Sequence, residues 1–196
     1  EGIKTINVVR NQVPIKSVDA FYMLSKNVGY IKLSSFSRTT DKEFELASKL
    51  LLRKGMKKLI FDLRGNTGGV LGAAISVSDQ MLPEGDLIVY TKGKSQPKRE
   101  EFASNYLKLL EQTDIAIIID NGSASASEIV AGAIQDNDRG TIYGRRSFGK
   151  GLVQEPINLN DGSELRLTVS RYYTPTGRSI QKPYGEDVDY YGDLQD

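Results

Sequence analysis

Three serines lie where a buried strand is predicted to meet a helix. Residues 114–120 form an apolar run of strand length, and Asn121-Gly-Ser-Ala-Ser-Ala-Ser127 follows it directly. The next apolar residues recur on one helical face: Ala126, Ile129, Val130, Ala133 and Ile134. Free backbone N–H groups and the positive end of the helix dipole collect at such a start. A serine hydroxyl placed there could act as a nucleophile beside donors that stabilise an oxyanion.

A serine nucleophile needs a base, and the composition narrows the choice. The chain contains no His and no Cys, which excludes Ser-His-Asp catalysis, Cys-His catalysis and zinc sites built on those residues. A Ser-Lys pair remains, and Lys150 between Gly149 and Gly151 is the best candidate. A lysine must be shifted from a pKa near 10.4 to roughly 7–8, by burial away from carboxylates, to accept a proton at neutral pH. Gln154 could hold a neutral lysine without the pKa increase that a carboxylate would cause. We expect no metal and no cofactor.

Other interpretations of the same residues stay open at this point. Ser125 and Glu128 have the spacing of a capping box, so Ser125 could serve only to cap the helix. A lone Lys150 is more often a surface lysine. Residues 144–150 also match most of a phosphate-binding P-loop, but Gly151 replaces the Ser/Thr that would bind Mg²⁺. The β-branched, proline-containing segment after it is not typical of a helix.

A second glycine-rich segment, Asp62-Leu-Arg-Gly-Asn-Thr-Gly-Gly69, joins a predicted strand to a helix. Its glycines permit positive φ and expose backbone N–H groups. One interpretation is a tight connection between strand and helix, in which Asp62 and Arg64 pair to brace the turn. The other is one half of an oxyanion hole, with the second half at the N–H of Ala126.

The elements around these segments predict the fold class. Strands are predicted at residues 3–9, 22–24, 29–33, 58–63, 87–90 and 164–170. Helices are predicted after a capping box of Thr40 and Glu43, at residues 71–81 and 102–110, and from residue 126. This alternation indicates an α/β fold with a largely parallel central sheet flanked by helices.

Four segments together resemble the signature blocks of the carboxyl-terminal processing (tail-specific) proteases. They are residues 62–69, 121–129, 147–154 and 173–180, in the order of that family. The resemblance implies a Ser-Lys serine endopeptidase with a crotonase/ClpP-like core. By position in the motifs, Ser125 would be the nucleophile, Lys150 the general base and Gln154 the residue that orients it. The oxyanion hole would be the N–H groups of Gly69 and Ala126, with Gly68 as the less favoured alternative.

The resemblance also implies a domain organisation. Residues 1–20 resemble the end of a PDZ domain and a linker, a β-rich remnant at the N-terminus. Residues 21–185 would be the catalytic core, and 186–196 an acidic, loosely ordered tail. Because the chain begins with Glu1, we expect it to be a piece of a longer protein that carries the PDZ domain.

Partners and location follow from the same resemblance and from composition. The expected partners are unfolded protein tails or peptides, and a homo-oligomer is compatible with the sequence. The balance of 26 basic and 25 acidic residues gives no indication of nucleic-acid binding. The resemblance implies a bacterial cell-envelope or periplasmic location, with which zero Cys is compatible. The alternative function is a non-catalytic peptide-binding module on the same fold.

Overall fold

The computed structural model describes residues 15–184, which form a mixed α/β structure. The strands are Val18–Met23 (β1), Val28–Leu33 (β2), Lys58–Asp62 (β3), Leu87–Lys92 (β4), Arg99–Phe102 (β5), Asp114–Ile119 (β6), Gly140–Gly144 (β7), Leu152–Asn158 (β8) and Glu164–Tyr173 (β9). The helices are Thr40–Arg53 (α1), Leu71–Asp79 (α2) and Ala126–Asp136 (α3). Of the predicted PDZ remnant and linker at residues 1–20, residues 1–14 lie outside the described residues, and so does the predicted strand at 3–9. The predicted tail at 186–196 also lies outside them.

The central sheet has five strands in the order β1-β2-β3-β6-β7. Only β1 and β2 pair antiparallel, and the other three pairings are parallel, as predicted. The parallel neighbours β2 and β3 are connected through α1, and β6 and β7 through α3, since a parallel pair needs a crossover. Residues Asp62 and Ile118 pair at the carboxyl ends of β3 and β6. The glycine-rich turn after β3 and the serine segment after β6 therefore leave the sheet side by side.

A second, antiparallel sheet has the order β5-β4-β9-β8. The sequence predicted parts of its strands but not their assembly into a separate sheet. Strands β8 and β9 form a hairpin with Gly162 in its loop, at φ 86°. Pro156 is tolerated in β8 because this strand lies at the sheet edge. The segment that carries Lys150 leads directly into β8, so this sheet brings the candidate base toward the serine.

Two local predictions are wrong. Residues 103–110 form no helix. Ala103 instead exchanges backbone hydrogen bonds with Gly85 and Asp86, and the Leu110 amide donates to the Gln80 carbonyl. These non-local bonds outweigh a helical apolar pattern. Helix α1 begins at Thr40 as expected, but Thr40 and Glu43 do not cap it, because the Glu43 carboxylate accepts from backbone amides near the start of β1.

The hydrophobic core lies between the central sheet and the helices. Its largest fully buried members come from both layers: Ile31, Leu33, Phe44, Leu51, Leu59, Phe61 and Ile117. The first core strand begins at Val18, and the domain boundary after residue 20 stays a prediction, as does the crotonase/ClpP-like description. Among residues 15–184, no helix is long and apolar enough to cross a bilayer.

Candidate active site

Ser125 caps the N-terminus of α3 in a strained backbone conformation. Its φ of 54° and ψ of −110° are uncommon for a residue with a Cβ. Such strain persists only where the surroundings enforce it, and it concentrates at functional sites. Ala124 and Ala126 on either side are buried, whereas Ser125 is partly exposed. The turn thus presents one hydroxyl to the surface at the point where β6 gives way to α3.

The hydroxyl groups of the two neighbouring serines form structural hydrogen bonds. Ser123 and Ser127 are fully buried. The Ser123 hydroxyl donates to the Leu63 carbonyl at 2.8 Å, and the Ser127 hydroxyl donates to the Asn66 carbonyl at 2.8 Å. Both bonds attach the serine segment to the glycine-rich turn. Geometry therefore separates Ser125 from the flanking serines, which sequence pattern alone does not do.

The glycine-rich turn lies directly against Ser125. A Cβ on Gly68 would stand 2.8 Å from the Ser125 Cβ and 2.9 Å from the Ala126 nitrogen. The Gly68 amide is already used, because it donates to Asn66 Oδ1 at 2.9 Å. Within residues 15–184, the amides of Gly69 and Ala126 donate to no acceptor. Both N–H groups are therefore unused by the described part of the chain, and the Ala126 amide directly follows the serine.

A buried carboxylate braces this turn. The Asp62 carboxylate accepts from the Arg64 amide at 2.9 Å and from the Arg64 guanidinium at 2.7 Å, as the sequence predicted. The Tyr30 hydroxyl also donates to it at 2.7 Å. Burial alone would raise the pKa of Asp62, but the bonds from Arg64 and Tyr30 outweigh it and hold that pKa well below its usual range. Burial, together with the bond to Asp62, raises the pKa of Tyr30 to about 12.

Glu128 connects the serine to the lysine, a role that the sequence analysis missed. This carboxylate is 7% exposed and is the capping-box partner of Ser125. Its Oε2 accepts from the Ser125 amide at 2.7 Å and from the Lys150 amide at 2.9 Å. Its Oε1 accepts from the Ser147 hydroxyl at 2.7 Å and the Gly149 amide at 2.6 Å. One side chain therefore holds the backbones of the candidate nucleophile and the candidate base together.

The side chains of Lys150 and Gln154 are both exposed, and Gln154 lies on β8 beside an irregularity in its pairing. In the described part of the chain, no hydrogen bond joins the Lys150 amine to the Ser125 hydroxyl. Residues 15–184 also do not form the dry pocket around this amine that the sequence analysis requires. The structure thus brings the backbones of Ser125 and Lys150 together while leaving the lysine side chain in solvent.

A cavity of about 450 Å³ lies between α2 and the second sheet. Its apolar lining includes Leu71, Val153, Val169 and Tyr172. Leu71 is two residues after Gly69, and Val153 directly precedes Gln154. The cavity is therefore lined by residues that adjoin two of the candidate site residues. Its lining combines apolar side chains with polar and charged ones, Arg99, Glu101 and Glu155 among them.

Comparison with known proteins identifies the family of this chain. The sequence model of the family described as Peptidase family S41 matches residues 27–190 of this chain. The chain is 43% identical over 180 residues to the carboxy-terminal-processing protease of Bartonella bacilliformis, covering 90% of this chain and 41% of that protein. It is 42% identical over 157 residues to the carboxyl-terminal-processing protease of Synechocystis sp., covering 80% and 36% respectively.

Among solved structures, the photosystem II D1 C-terminal processing protease superimposes with a TM-score of 0.76 at 33% identity. The match covers 88% of this chain and 47% of that one. The chain thus spans less than half the length of these relatives. The family match extends over most of the described residues and includes all the candidate site residues. This chain belongs to peptidase family S41, among the carboxyl-terminal-processing serine proteases.

Proposed function

We propose that the chain is the catalytic core of a serine endopeptidase that cleaves unstructured or C-terminal segments of proteins. Ser125 is the nucleophile, Lys150 is the general base, and Gln154 orients the lysine. The observation that carries this proposal is the shared Glu128 oxygen, which accepts from the amides of Ser125 and Lys150 at 2.7 and 2.9 Å. A common acceptor keeps the two residues adjacent, although they are 25 positions apart in the chain.

The mechanism follows from the roles of these groups. Ser125 Oγ attacks the scissile carbonyl carbon while neutral Lys150 takes the hydroxyl proton. The resulting oxyanion accepts hydrogen bonds from the amides of Gly69 and Ala126. Collapse of this intermediate breaks the C–N bond, and the lysine returns the proton to the leaving amine. Water, activated by the same lysine, then hydrolyses the acyl-enzyme.

Catalysis requires the Lys150 side chain to leave solvent and reach Ser125. The loop backbone is already held, so the motion needed is a rotation of the lysine side chain, and exposed side chains change rotamer in picoseconds to nanoseconds. A substrate backbone laid over the site would also cover the amine and exclude water from it. Such cover would favour the neutral form of the lysine.

The substrate class rests on the cavity and on the relatives. The apolar part of the cavity between α2 and the second sheet suits an apolar side chain of an extended peptide. The names of the relatives describe carboxyl-terminal processing, which is compatible with unfolded protein tails as substrates. We also propose that the complete protein carries a PDZ domain before this core, resides in the bacterial cell envelope and could assemble as a homo-oligomer.

A non-catalytic peptide-binding module is the second candidate. The exposure of Lys150 and Gln154 is the observation that favours it, since within residues 15–184 neither side chain is hydrogen-bonded to Ser125. The P-loop interpretation, in contrast, loses its basis. The amides of Gly149 and Lys150 that would bind phosphate already donate to the Glu128 carboxylate, and strand β8 follows where a P-loop has a helix.

Labelling with a fluorophosphonate probe separates the two remaining candidates. Covalent labelling of one serine in the parent, mapped by mass spectrometry to Ser125, supports the peptidase. Ser125→Ala should abolish both labelling and cleavage of an unfolded protein, while Ser163→Ala, in the exposed β8–β9 turn, should leave both unchanged. Lys150→Ala should slow labelling by at least about 100-fold. Equal labelling in parent and Ser125→Ala would refute the assignment.

A further inference from the structure

Nearly all backbone polar groups around Lys150 are hydrogen-bonded, although Lys150 itself is exposed. Five of the six backbone N–H and C=O groups of residues 149–151 have a partner. Two are the amides that donate to Glu128. The Gly149 carbonyl accepts from the Lys182 amide at 2.9 Å, and the Gly151 carbonyl accepts from the Tyr172 amide at 2.8 Å. The remaining partner is a side chain from a distant part of the chain.

That side chain is Gln181, which is 5% exposed. Its Oε1 accepts from the Gly151 amide at 3.0 Å, and its Nε2 donates to the Lys182 carbonyl at 3.1 Å. Gln181 lies immediately after the last of the four family-like segments, and the mechanism above gives it no role. The Gln181 side chain therefore accepts one hydrogen bond and donates another close to the candidate base. An apolar side chain of similar size could form neither bond.

The two glycines around Lys150 allow this contact. A Cβ on Gly151 would stand 2.3 Å from the backbone nitrogen of Gln181, and a Cβ on Gly149 would stand 2.7 Å from the Lys182 Cβ. Only glycine at both positions lets residues 180–182 lie flat against the loop. Those residues are held in turn by the end of β9, where the Ile180 amide donates to the Tyr172 carbonyl at 3.1 Å.

We infer that Gln181 is a positioning residue for the general base: together with Glu128, it fixes the Gly149–Gly151 backbone and thereby the Cα from which the Lys150 side chain extends. The inference rests on the proposed function of Lys150. Glu128 holds the amides of residues 149 and 150 from the side of the α3 N-terminus, and Gln181 holds the amide of residue 151 from the C-terminal segment. A fixed Cα limits the positions that the lysine amine can reach.

The test compares Gln181→Leu with Gln80→Leu. Gln80 is a matched control because it is also buried, at 3% exposed, and its Oε1 has no hydrogen-bond partner among residues 15–184. Gln181→Leu should lower kcat roughly 10- to 100-fold with KM changed less than about threefold, since misplacing a catalytic group by 1 Å can cost about 100-fold. Its Gly151 amide should exchange with solvent at least about 10-fold faster, measured by NMR. Gln80→Leu should leave both quantities at the parent values.

Gln181→Glu gives a second, independent comparison. It keeps an oxygen that can accept from the Gly151 amide but loses the donor to the Lys182 carbonyl, so Gly151 protection should exceed that of Gln181→Leu. The inference is overturned if Gln181→Leu matches Gln80→Leu in kcat, if its Gly151 exchange is unchanged, or if Gln181→Leu and Gln181→Glu give the same Gly151 exchange rate. If exchange changes as expected but the parent neither labels nor cleaves, the proposed function fails, and the contact is structural only.

Discussion

A methyl group added at Gly68 would press against the proposed nucleophile, Ser125, and against the Ala126 amide, one of the two proposed oxyanion donors. Gly68 is buried at φ 99°, and a Cβ there would stand 2.7 Å from the Ala124 carbonyl oxygen, 2.8 Å from the Ser125 Cβ and 2.9 Å from the Ala126 nitrogen. Real Cβ atoms essentially never approach this closely. Because these neighbours are backbone or Cβ atoms of residues 124–126, the backbone must move to accommodate Gly68→Ala.

The expected cost has two parts. A non-glycine residue at this positive φ costs of order 1–3 kcal/mol of folding stability. Displacing an amide of an oxyanion hole costs about 100- to 1000-fold in kcat. Gly68→Ala should therefore lower the free energy of unfolding by about 2 kcal/mol while lowering kcat far more than that loss explains. Denaturant unfolding measures the first effect, and cleavage of an unfolded fluorescent protein measures the second.

Gly65→Ala is the matched control in the same turn. Gly65 has φ 69°, but a Cβ there would have nothing within 4 Å. Gly65→Ala should lose about as much folding stability as Gly68→Ala, since the backbone strain is similar. Its kcat should stay within about twofold of the parent value. Equal kcat in Gly68→Ala and the parent would refute the placement of the oxyanion hole. An equally large loss of kcat in Gly65→Ala would show that turn strain alone, not proximity to Ser125, controls activity.

Three further predictions concern charged groups. Asp62→Asn should destabilise the fold by about 1–3 kcal/mol at neutral pH. Because the pKa of Asp62 is depressed in the folded state, the parent should also lose stability as the pH falls below about 4, and the variant should lose less. Denaturant unfolding at each pH measures both effects. Arg139→Met should lower the free energy of unfolding by about 3 kcal/mol or more. The reason is that the Arg139 guanidinium donates to the carbonyls of Met81, Leu110, Glu111 and Thr113. An unchanged Tm in thermal unfolding would contradict this prediction. The kcat/KM of the parent should rise with pH as its base loses a proton, and a flat profile between about pH 6 and 9 would argue against a titrating base.

Features set by local chemistry could be predicted from the sequence. The parallel strands β3 and β6 were visible as apolar runs, and α3 as a helical face beginning after Ser125. The pairing of Asp62 with Arg64 was also predictable, since the two residues are two positions apart and close one turn. In each case the interacting groups lie within a few residues of each other, where spacing determines geometry.

Contacts between distant segments could not be predicted in this way. Glu128 was visible only as a capping residue, because its bonds to Gly149 and Lys150 cross more than 20 positions. Gln181 acts across 30 positions on Gly151. The wrong helix at residues 102–110 has the same origin, since the competing partners of Ala103 and Leu110 lie on other segments. Local periodicity contains no information about such partners.

The most direct test of the Ser-Lys pair is a crystal structure of the protein after reaction with a peptidyl phosphonate. The account predicts a covalent bond from Ser125 Oγ to phosphorus, the phosphonyl oxygen bound by the amides of Gly69 and Ala126, and Lys150 Nζ within about 3.2 Å of Ser125 Oγ. A phosphonylated Ser125 whose oxygen contacts neither amide, with the Lys150 amine still in solvent, would contradict it.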